Sequence, residues 1–298
     1  MANLAIFTLF YQLYFAGKLA GDFKASVDRP RALSINHHMP LPEIIQTQAL
    51  LQAGLRHGSK GTHTTRTSMQ TELNEVMEGV SAYSSREDYQ RAIIDENLLG
   101  KRTTANRILT NQRLGELYGL DRGLLLFRVL RHLWSVDPAS RPMLAHLCAL
   151  ARDPLLRASA EYVVPLPLGA ECVRGEFLAC LRSHVETRLN DASLDKVARN
   201  AGSSWSRSGH LDGRVRKIRT AAPASFGSVA YAIWLGHLEG RVADELFTSF
   251  WMSMFDVPRA ELLDHAIRAK QMGLIRATIG AGIVQVDAGL LTETALSN

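Results

Sequence analysis

The sequence predicts a mainly α-helical protein, a helical bundle with winged helix-turn-helix modules and short β-hairpin wings. From about Thr71 to Asn190, apolar residues recur at helical spacing between Pro, Gly and capping residues. Beyond residue 190, helical stretches are followed by hairpin signals, first at Asp212-Gly213 and then at Gly280-Ala281-Gly282. Three helices followed by a hairpin is the winged-helix order.

Composition excludes several other classes of protein. The chain has 298 residues, 46% of them hydrophobic, and a net charge of +5. Intrinsic disorder, a collagen-like fibre and a disulfide-stapled miniprotein do not fit these values. The three cysteines, Cys148, Cys172 and Cys180, form no CxxC pair, which indicates free thiols in a reducing compartment. We therefore expect a cytoplasmic protein.

Residues 1–70 are predicted to form an N-terminal extension. Their apolar run, Leu4 to Ala16, is 13 residues long, too short for a membrane-spanning helix, and the first lysine, Lys18, follows it. We expect no membrane anchor there, but an N-terminal helix that packs on the body. A second short helix is predicted from Glu43 to Leu55, just after Pro42.

Residues 71–190 are predicted to form a helical domain with a helix-turn-helix-like segment. Ser85 is a candidate cap for a helix through Asp95, and Thr103 or Thr104 for one to about Tyr118. The other expected features are a buried helix at Leu124–Trp134, helix starts at Asp137-Pro138 and Asp153-Pro154, a linker at Val164–Gly169 and a long helix from about Glu171 to Leu189.

Residues 191–298 are predicted to form a winged-helix C-terminal domain. Two short helices, Ser193–Ala201 and Ser204–Ser208, are expected on either side of Gly202. Helices are also expected at about Phe226–Leu238, Val242–Phe255 and Arg259–Met272. Strands 274–279 and 283–287 should then form a hairpin.

The segment Arg199–Thr220 carries the strongest functional signal. It holds six basic residues against one acidic residue, Asp212, and such a concentration of charge suits contacts with phosphates. The Ala198-x-x-x-Gly202 spacing is typical of the turn in a helix-turn-helix. We predict double-stranded DNA contacts by Arg199, Ser203, Ser204, Trp205, Arg207, His210, Arg214, Arg216, Lys217 and Arg219. The alternative is a solvated basic hairpin in which Trp205 belongs to the core.

A second basic segment runs from Lys101 to Arg113 and contains no acidic residue. A predicted second DNA-contacting surface comprises Lys101, Arg102, Thr104, Arg107 and Asn111. The alternative is an ordinary solvated helix face, because Asp95, Glu96 and Glu116 flank the segment.

Signals of catalysis and of metal binding are absent from the sequence. It contains no HExxH, GxSxG, GxxxxGK[ST] or glycine-rich dinucleotide motif. His37, His38, His57 and His63 have no Cys or carboxylate at ligand spacing. We therefore predict no enzyme activity, no cofactor and no metal site.

Residues Tyr89–Asp121 resemble the family of small helical BrxA proteins of bacterial BREX phage-defence systems. The matching features are Glu96-Asn97-Leu98-Leu99, the Lys101-Arg102-Thr103-Thr104 helix start and Arg113-Leu114-x-x-Leu117, together with Ala269-x-x-x-Gly273-Leu274-Ile275 near the C-terminus. The resemblance implies a helical, winged-helix protein that binds double-stranded DNA without catalysis. The chain departs from the family in its N-terminal 70 residues and its basic hairpin at 211–219.

These observations together predict a cytoplasmic DNA-binding accessory protein of a phage-defence system, with other defence proteins as further partners. Its contacts should be mostly to the phosphate backbone, so its sequence specificity should be low. Two alternatives stay open at this point. One is a scaffold that docks a larger defence enzyme, and the other is a winged-helix transcriptional regulator. The sequence makes no prediction of the oligomeric state.

Overall fold

The computed structural model describes residues 41–58, 61–185, 188–280 and 283–297. From Leu41 onward the chain forms one compact unit. The α-helices are α1 (Leu41–Ala53), α2 (Gln70–Gly79), α3 (Arg86–Ile94), α4 (Thr104–Tyr118), α5 (Leu125–Val136), α6 (Arg141–Arg152), α7 (Pro154–Val163), α8 (Arg174–Val185), α9 (Asp191–Arg207), α10 (Phe226–Leu238), α11 (Arg259–Gln271) and α12 (Gly289–Ser297). The mainly helical class is confirmed. The apolar run Leu4–Ala16 lies outside the described residues.

The described residues also form two small antiparallel sheets of two strands each. Strands β1 (Leu211–Asp212) and β2 (Ile218–Arg219) pair in the first, with Leu211 opposite Arg219. Strands β3 (Arg276–Gly280) and β4 (Ile283–Asp287) pair in the second, with Arg276 opposite Asp287. Both predicted hairpins are therefore present.

The centre of the molecule is formed by α5, α6 and α10, which pack on one another. The sequence of α10 is apolar on all sides, and every residue from Gly227 to His237 is buried. A helix that is hydrophobic all round is stable only inside a core, so α10 takes the central position. Around it, α12 packs on α5, α11 packs on α10, and α4 packs on α6.

Several predicted helix caps are confirmed. Ser85 and Asp88 form a reciprocal capping box at the start of α3, and the Thr103 side chain caps α4. Asp153 accepts hydrogen bonds from two backbone N–H groups in the first turn of α7. Asp137 acts differently, because its Oδ2 accepts from the distant Gly227 N–H at 2.9 Å and thereby joins the start of α10 to the end of α5.

The predicted break at Gly202 is wrong. Residues 191–207 form the single helix α9, and Gly202 lies inside it. A Cβ atom at Gly202 would lie 3.3 Å from Lys217 Cε, so the missing side chain makes room for the basic hairpin. The Ala-x-x-x-Gly spacing thus reflects the approach of a hairpin and not a turn between two helices.

The predicted helix over Val242–Phe255 is also wrong. This segment contains two 3₁₀ helices, Ala243–Thr248 and Met252–Met254, interrupted at Ser249, which has an extended backbone. Leu246, Phe247, Trp251, Met252 and Met254 are all buried, so tertiary packing overrides the helical pattern. The helix expected from Glu171 begins only at Arg174, because Glu171 pairs with Ile218 in an isolated bridge.

Helices on both sides of position 190 pack against each other, since α9 contacts both α7 and α8. The domain boundaries after residues 70 and 190 stay a prediction. Among the described residues, no helix combines the length and the apolar character that crossing a membrane requires.

Candidate nucleic-acid interface

The strongest basic segment, Arg199–Thr220, lies on the end of α9 and on the hairpin, and α7 and α8 pack beside them. Helices α7 and α8 pack together, α8 packs on α9, and β1 and β2 follow α9 directly. The stretch before α8 also pairs with β2. Arg219 N–H donates to Ala170 O at 2.8 Å, and Cys172 N–H donates to Lys217 O at 2.8 Å. The hairpin is thereby tied to the connection between α7 and α8.

Helix α9 divides cleanly into a buried and an exposed face. Its N-terminus is capped by Asn190, whose side chain accepts from Ser193 N–H at 2.9 Å. The buried face comprises Leu194, Val197, Ala198, Ala201, Ser204 and Trp205. The opposite face presents Lys196, Arg199 and Arg207, which are exposed, with Ser203 half-buried between them. With 17 residues, α9 is about 25 Å long.

The cations on this face have few acidic partners. Arg199 forms an ion pair with Asp195 at 3.2 Å, and Arg174 contacts the same carboxylate. Arg207 Nη1 donates to Thr71 Oγ1 at 3.2 Å, a neutral partner that leaves its charge uncompensated. Surface ion pairs of this kind are weak and screened by salt, so Arg199 remains available to a polyanion.

The hairpin extends the basic face beyond the end of α9. Lys217 Nζ donates to Ser206 Oγ at 2.8 Å and to Gly213 O at 3.2 Å, which holds the hairpin against α9. Gly213 adopts a φ of 98°, which glycine accommodates without strain, and thereby permits the turn. At the tip, Val215 is 96% exposed. Arg214 and Arg216 on either side of it are also exposed.

Two of these hairpin cations are partly engaged within the protein. Arg216 Nε lies 2.6 Å from Glu171 Oε2 in an exposed ion pair. Burial lowers the pKa of Lys217, while the nearby Cys172 and Asp212 raise it. Arg214 makes no ion pair within the described part of the chain, so its guanidinium group is available to an external anion.

Four residues predicted to contact DNA are buried, so these four assignments are corrected. Trp205 Nε1 donates to Ser159 Oγ at 2.7 Å inside the core. His210 bridges Ser208 Oγ and Met254 O, at 2.8 Å from each. Arg219 forms a bidentate ion pair with Asp256, with Nη1–Oδ2 at 2.9 Å and Nη2–Oδ1 at 2.6 Å, and its Nε donates to Val163 O. The fourth is Ser204. All four hold α9 and the hairpin in place and cannot reach a nucleic acid.

The second basic segment is largely engaged in packing. Lys101 Nζ pairs with Glu72 Oε1 at 3.1 Å, and Arg107 donates to the carbonyl oxygens of Lys101 and Ile94. Arg102 and Thr104 are exposed. Asn111 is half-buried on α4. This segment therefore offers fewer free donors than α9 and the hairpin.

The first turn of α2 brings the two basic segments together. Arg207 of α9 contacts Thr71, and Lys101 contacts the next residue, Glu72. Just before this turn, Arg66 Nη2 lies 3.5 Å from Asn106 Oδ1 of α4. The segments therefore approach one another on a shared edge of the molecule, a juxtaposition that their separation of about 90 residues in sequence concealed.

The structure also contains a buried Ser-His-Asp arrangement that the sequence did not predict. His63 Nδ1 lies 2.7 Å from Asp153 Oδ2, and His63 Nε2 lies 2.8 Å from Ser204 Oγ. The exposed fractions are 0% for His63 and 1% each for Asp153 and Ser204. Ser204 Oγ also accepts from Ser68 N–H at 2.8 Å. No substrate can reach this hydroxyl in the folded state, and its contacts join three distant segments of chain.

Within the described residues, Glu161, Cys180 and His184 place one potential metal-ligand atom each within 4.8 Å of the others. Cys180 and His184 are one helical turn apart on α8, and Glu161 comes from α7. His184 Nε2 and Glu161 Oε2 already form an ion pair at 3.0 Å. Two of the three potential ligand groups are thus paired with each other.

A scan against protein-family models and a search of curated proteins found no match to this chain. The resemblance to BrxA proteins therefore stays a prediction that rests on the quoted motifs.

Proposed function

We propose that this chain is a non-enzymatic double-stranded DNA-binding protein whose main contact surface is the exposed face of α9 together with the tip of the hairpin. The observation that carries the proposal is the outward-facing row of Lys196, Arg199 and Arg207, extended by Arg214 and Arg216.

In this proposal, α7, α8, α9 and the hairpin form a winged-helix module. Helix α9, the third helix of the module, acts as the recognition helix, and the hairpin acts as the wing. The short connection between α8 and α9 is then the helix-turn-helix turn. The major groove of B-DNA is about 12 Å wide and admits an α-helix, and the polar face of α9 has the shape and charge to enter it.

The hairpin, acting as the wing, suits contacts with the neighbouring minor groove of the DNA or with its phosphate backbone. Proteins that bind the minor groove use arginines together with apolar side chains that insert between base steps. Val215 has this setting between Arg214 and Arg216. Contacts by arginine and lysine to phosphates would dominate the affinity, so binding should depend steeply on salt and weakly on sequence.

Fluorescence anisotropy with a random duplex at several salt concentrations tests the proposal. The variant carries Arg199→Gln, Arg207→Gln and Arg214→Gln, none of which is a buried residue. Each phosphate contact adds about 0.9 to the slope of log affinity against log salt. Loss of all three contacts should therefore reduce the slope by about 2.7 and weaken binding at every salt concentration.

The control variant carries Arg86→Gln, Arg241→Gln and Lys270→Gln, which remove the same charge from exposed positions on other elements. Its salt slope should remain that of the wild type. Equal losses in the two variants would mean that net charge alone attracts the duplex, and absence of wild-type binding at low salt would refute the proposal.

We propose in addition that the protein serves a BREX-like phage-defence system in the cytoplasm, alongside other defence proteins. The support is the resemblance in Tyr89–Asp121 and at Ala269–Ile275. Phage plating on cells that carry the defence cluster, with the wild-type gene or the α9 variant, tests this role. Restriction should be lost with the α9 variant and kept with the control variant.

A further inference from the structure

A basic pocket of about 530 Å³ lies between the Thr62–Thr64 turn, α4, the end of α6 and the residues that precede α9. Among the described residues, its lining holds the arginines Arg56, Arg113, Arg152 and Arg188 and one carboxylate, that of Glu116. This volume is in the range of pockets that bind small ligands.

The carboxylate of Glu116 is already neutralised by its neighbours. Arg113 Nη1 donates to Glu116 Oε2 at 2.7 Å, and Thr62 Oγ1 donates to the same oxygen at 2.8 Å. Gln112 Nε2 occupies the other oxygen at 3.1 Å. One of these four positive charges is therefore balanced, and three are not balanced by a carboxylate of the described lining residues.

The remaining guanidinium groups are held without anionic partners. Arg152 is buried and directs its donors to backbone carbonyl oxygens, at 2.9 Å for Glu116 O and 3.0 Å for Gly115 O. Arg188 Nη2 donates to His184 O at 2.8 Å. The guanidinium of Arg56 has no hydrogen bond or ion pair among the described residues.

Two further features mark the pocket as short of negative charge. Arg113 Nε is buried and has no hydrogen-bond partner within the described part of the molecule. Burial lowers the pKa of Arg152 to about 10, and the repulsion of Arg56 also acts to lower it. An anion in the pocket would offset both the repulsion and the unmade hydrogen bond.

We infer that this pocket binds a small phosphorylated ligand of the size of a mononucleotide. The guanidinium fork matches phosphate oxygens in geometry and charge, and several arginines around one concave site favour a ligand with more than one phosphate group. The concave shape favours a small molecule over a duplex, whose phosphates lie on a convex surface. The inference is independent of DNA binding by α9.

Isothermal titration calorimetry of the full chain with ATP and with inorganic pyrophosphate tests the inference. The variant Arg56→Gln, Arg188→Gln changes two exposed residues at the pocket rim and leaves the structural Arg113 and Arg152 intact. The affinity of at least one of the two probes should fall tenfold or more. The control Arg86→Gln, Arg241→Gln should bind as the wild type does.

The absence of heat with both probes, or binding that the rim variant leaves unchanged, would overturn the inference. The same variants are also titrated into a random duplex by anisotropy. A rim variant that loses duplex affinity while the wild type binds neither probe would assign the pocket to DNA phosphates and overturn the small-ligand inference. Failure of duplex binding alone refutes the α9 proposal and leaves this one standing.

Discussion

His210 should make the fold sensitive to mild acid. Its imidazole is fully buried where α9 meets the hairpin, and it lies beside His146, with ring centroids 5.3 Å apart. The pKa of His210 is lowered to about 4, mainly by burial and also by the charge of the adjacent Arg219, and the hydrogen bond to Met254 O and the charge of Asp256 offset part of this lowering. The ring is therefore neutral in the folded protein at pH 7.

The size of the effect follows from the difference in pKa between the two states. The unfolded chain has an ordinary histidine pKa of about 6.5 and takes up a proton as the pH falls, but the folded protein does not do so until about pH 4. The contribution of the neutral His210 ring to stability is thus fully present above pH 7 and is lost between about pH 6.5 and 4. At pH 5 the linkage relation gives a loss of about 2 kcal/mol in the free energy of unfolding.

The assay is urea unfolding followed by tryptophan fluorescence at pH 7.5 and pH 5.0. His146 adds to the loss of stability in acid, because burial lowers its pKa well below the usual value. The variant His146→Phe keeps an aromatic ring against Trp205, whose centroid lies 4.4 Å away, and removes one titrating group. It should therefore lose less stability than the wild type between the two pH values.

A direct measurement separates the titration of His210 from that of other groups that gain protons in acid. The imidazole C–H signals of His210, followed by NMR on the folded protein, should not titrate above about pH 5. A midpoint near 6.5, or an unfolding free energy that does not change between pH 7.5 and 5.0, would refute the argument that burial keeps this ring neutral.

Three further substitutions test other parts of the structure. Asp256→Asn leaves the buried Arg219 without its counter-charge, so thermal unfolding should show a loss of about 3 kcal/mol, and an unchanged Tm would contradict the buried ion pair. Gly61→Ala places a Cβ atom in steric conflict with Asp153 Oδ1, which should cost about 2 kcal/mol in urea unfolding, and a neutral result would mean that the Asp153 contacts are looser than described. Val215→Asp should leave the Tm unchanged, because the side chain is 96% exposed, but should weaken duplex binding in anisotropy, and unaltered affinity would exclude the wing tip from the interface.

Local signals predicted much of the helical framework. The caps at Ser85, Thr103 and Asp153 and the helix Phe226–Leu238 were all predicted from short-range patterns and are confirmed. Such features depend on residues three or four positions apart, which a sequence displays directly. The segment over Val242–Phe255 failed for the opposite reason, because its buried aromatic residues face several partners from other parts of the chain.

The candidate site was predicted only in part. The exposed cations Arg199, Arg207 and Arg214 lie where charge density suggested a contact surface. The burial of Trp205 was given only as the alternative, and that of Arg219 was not predicted, because the partners that bury them, Ser159 and Asp256, lie 46 and 37 residues away. A residue type can indicate affinity for phosphate, but only tertiary packing decides whether its side chain reaches solvent.

The buried polar contacts explain how α9 can present one constant face. Ser204 on its inner side is fixed by His63, and His63 is in turn fixed by Asp153 at the start of α7. Rotation of α9 about its axis by one residue, about 100°, would break this chain of hydrogen bonds and leave buried polar atoms unpaired, at a cost of about 1–3 kcal/mol for each. Apolar packing alone tolerates small rotations, whereas a hydrogen-bonded ring nitrogen does not. The Ser-His-Asp arrangement, which resembles a catalytic triad in its distances, therefore sets the orientation of the helix whose opposite face carries Lys196, Arg199 and Arg207.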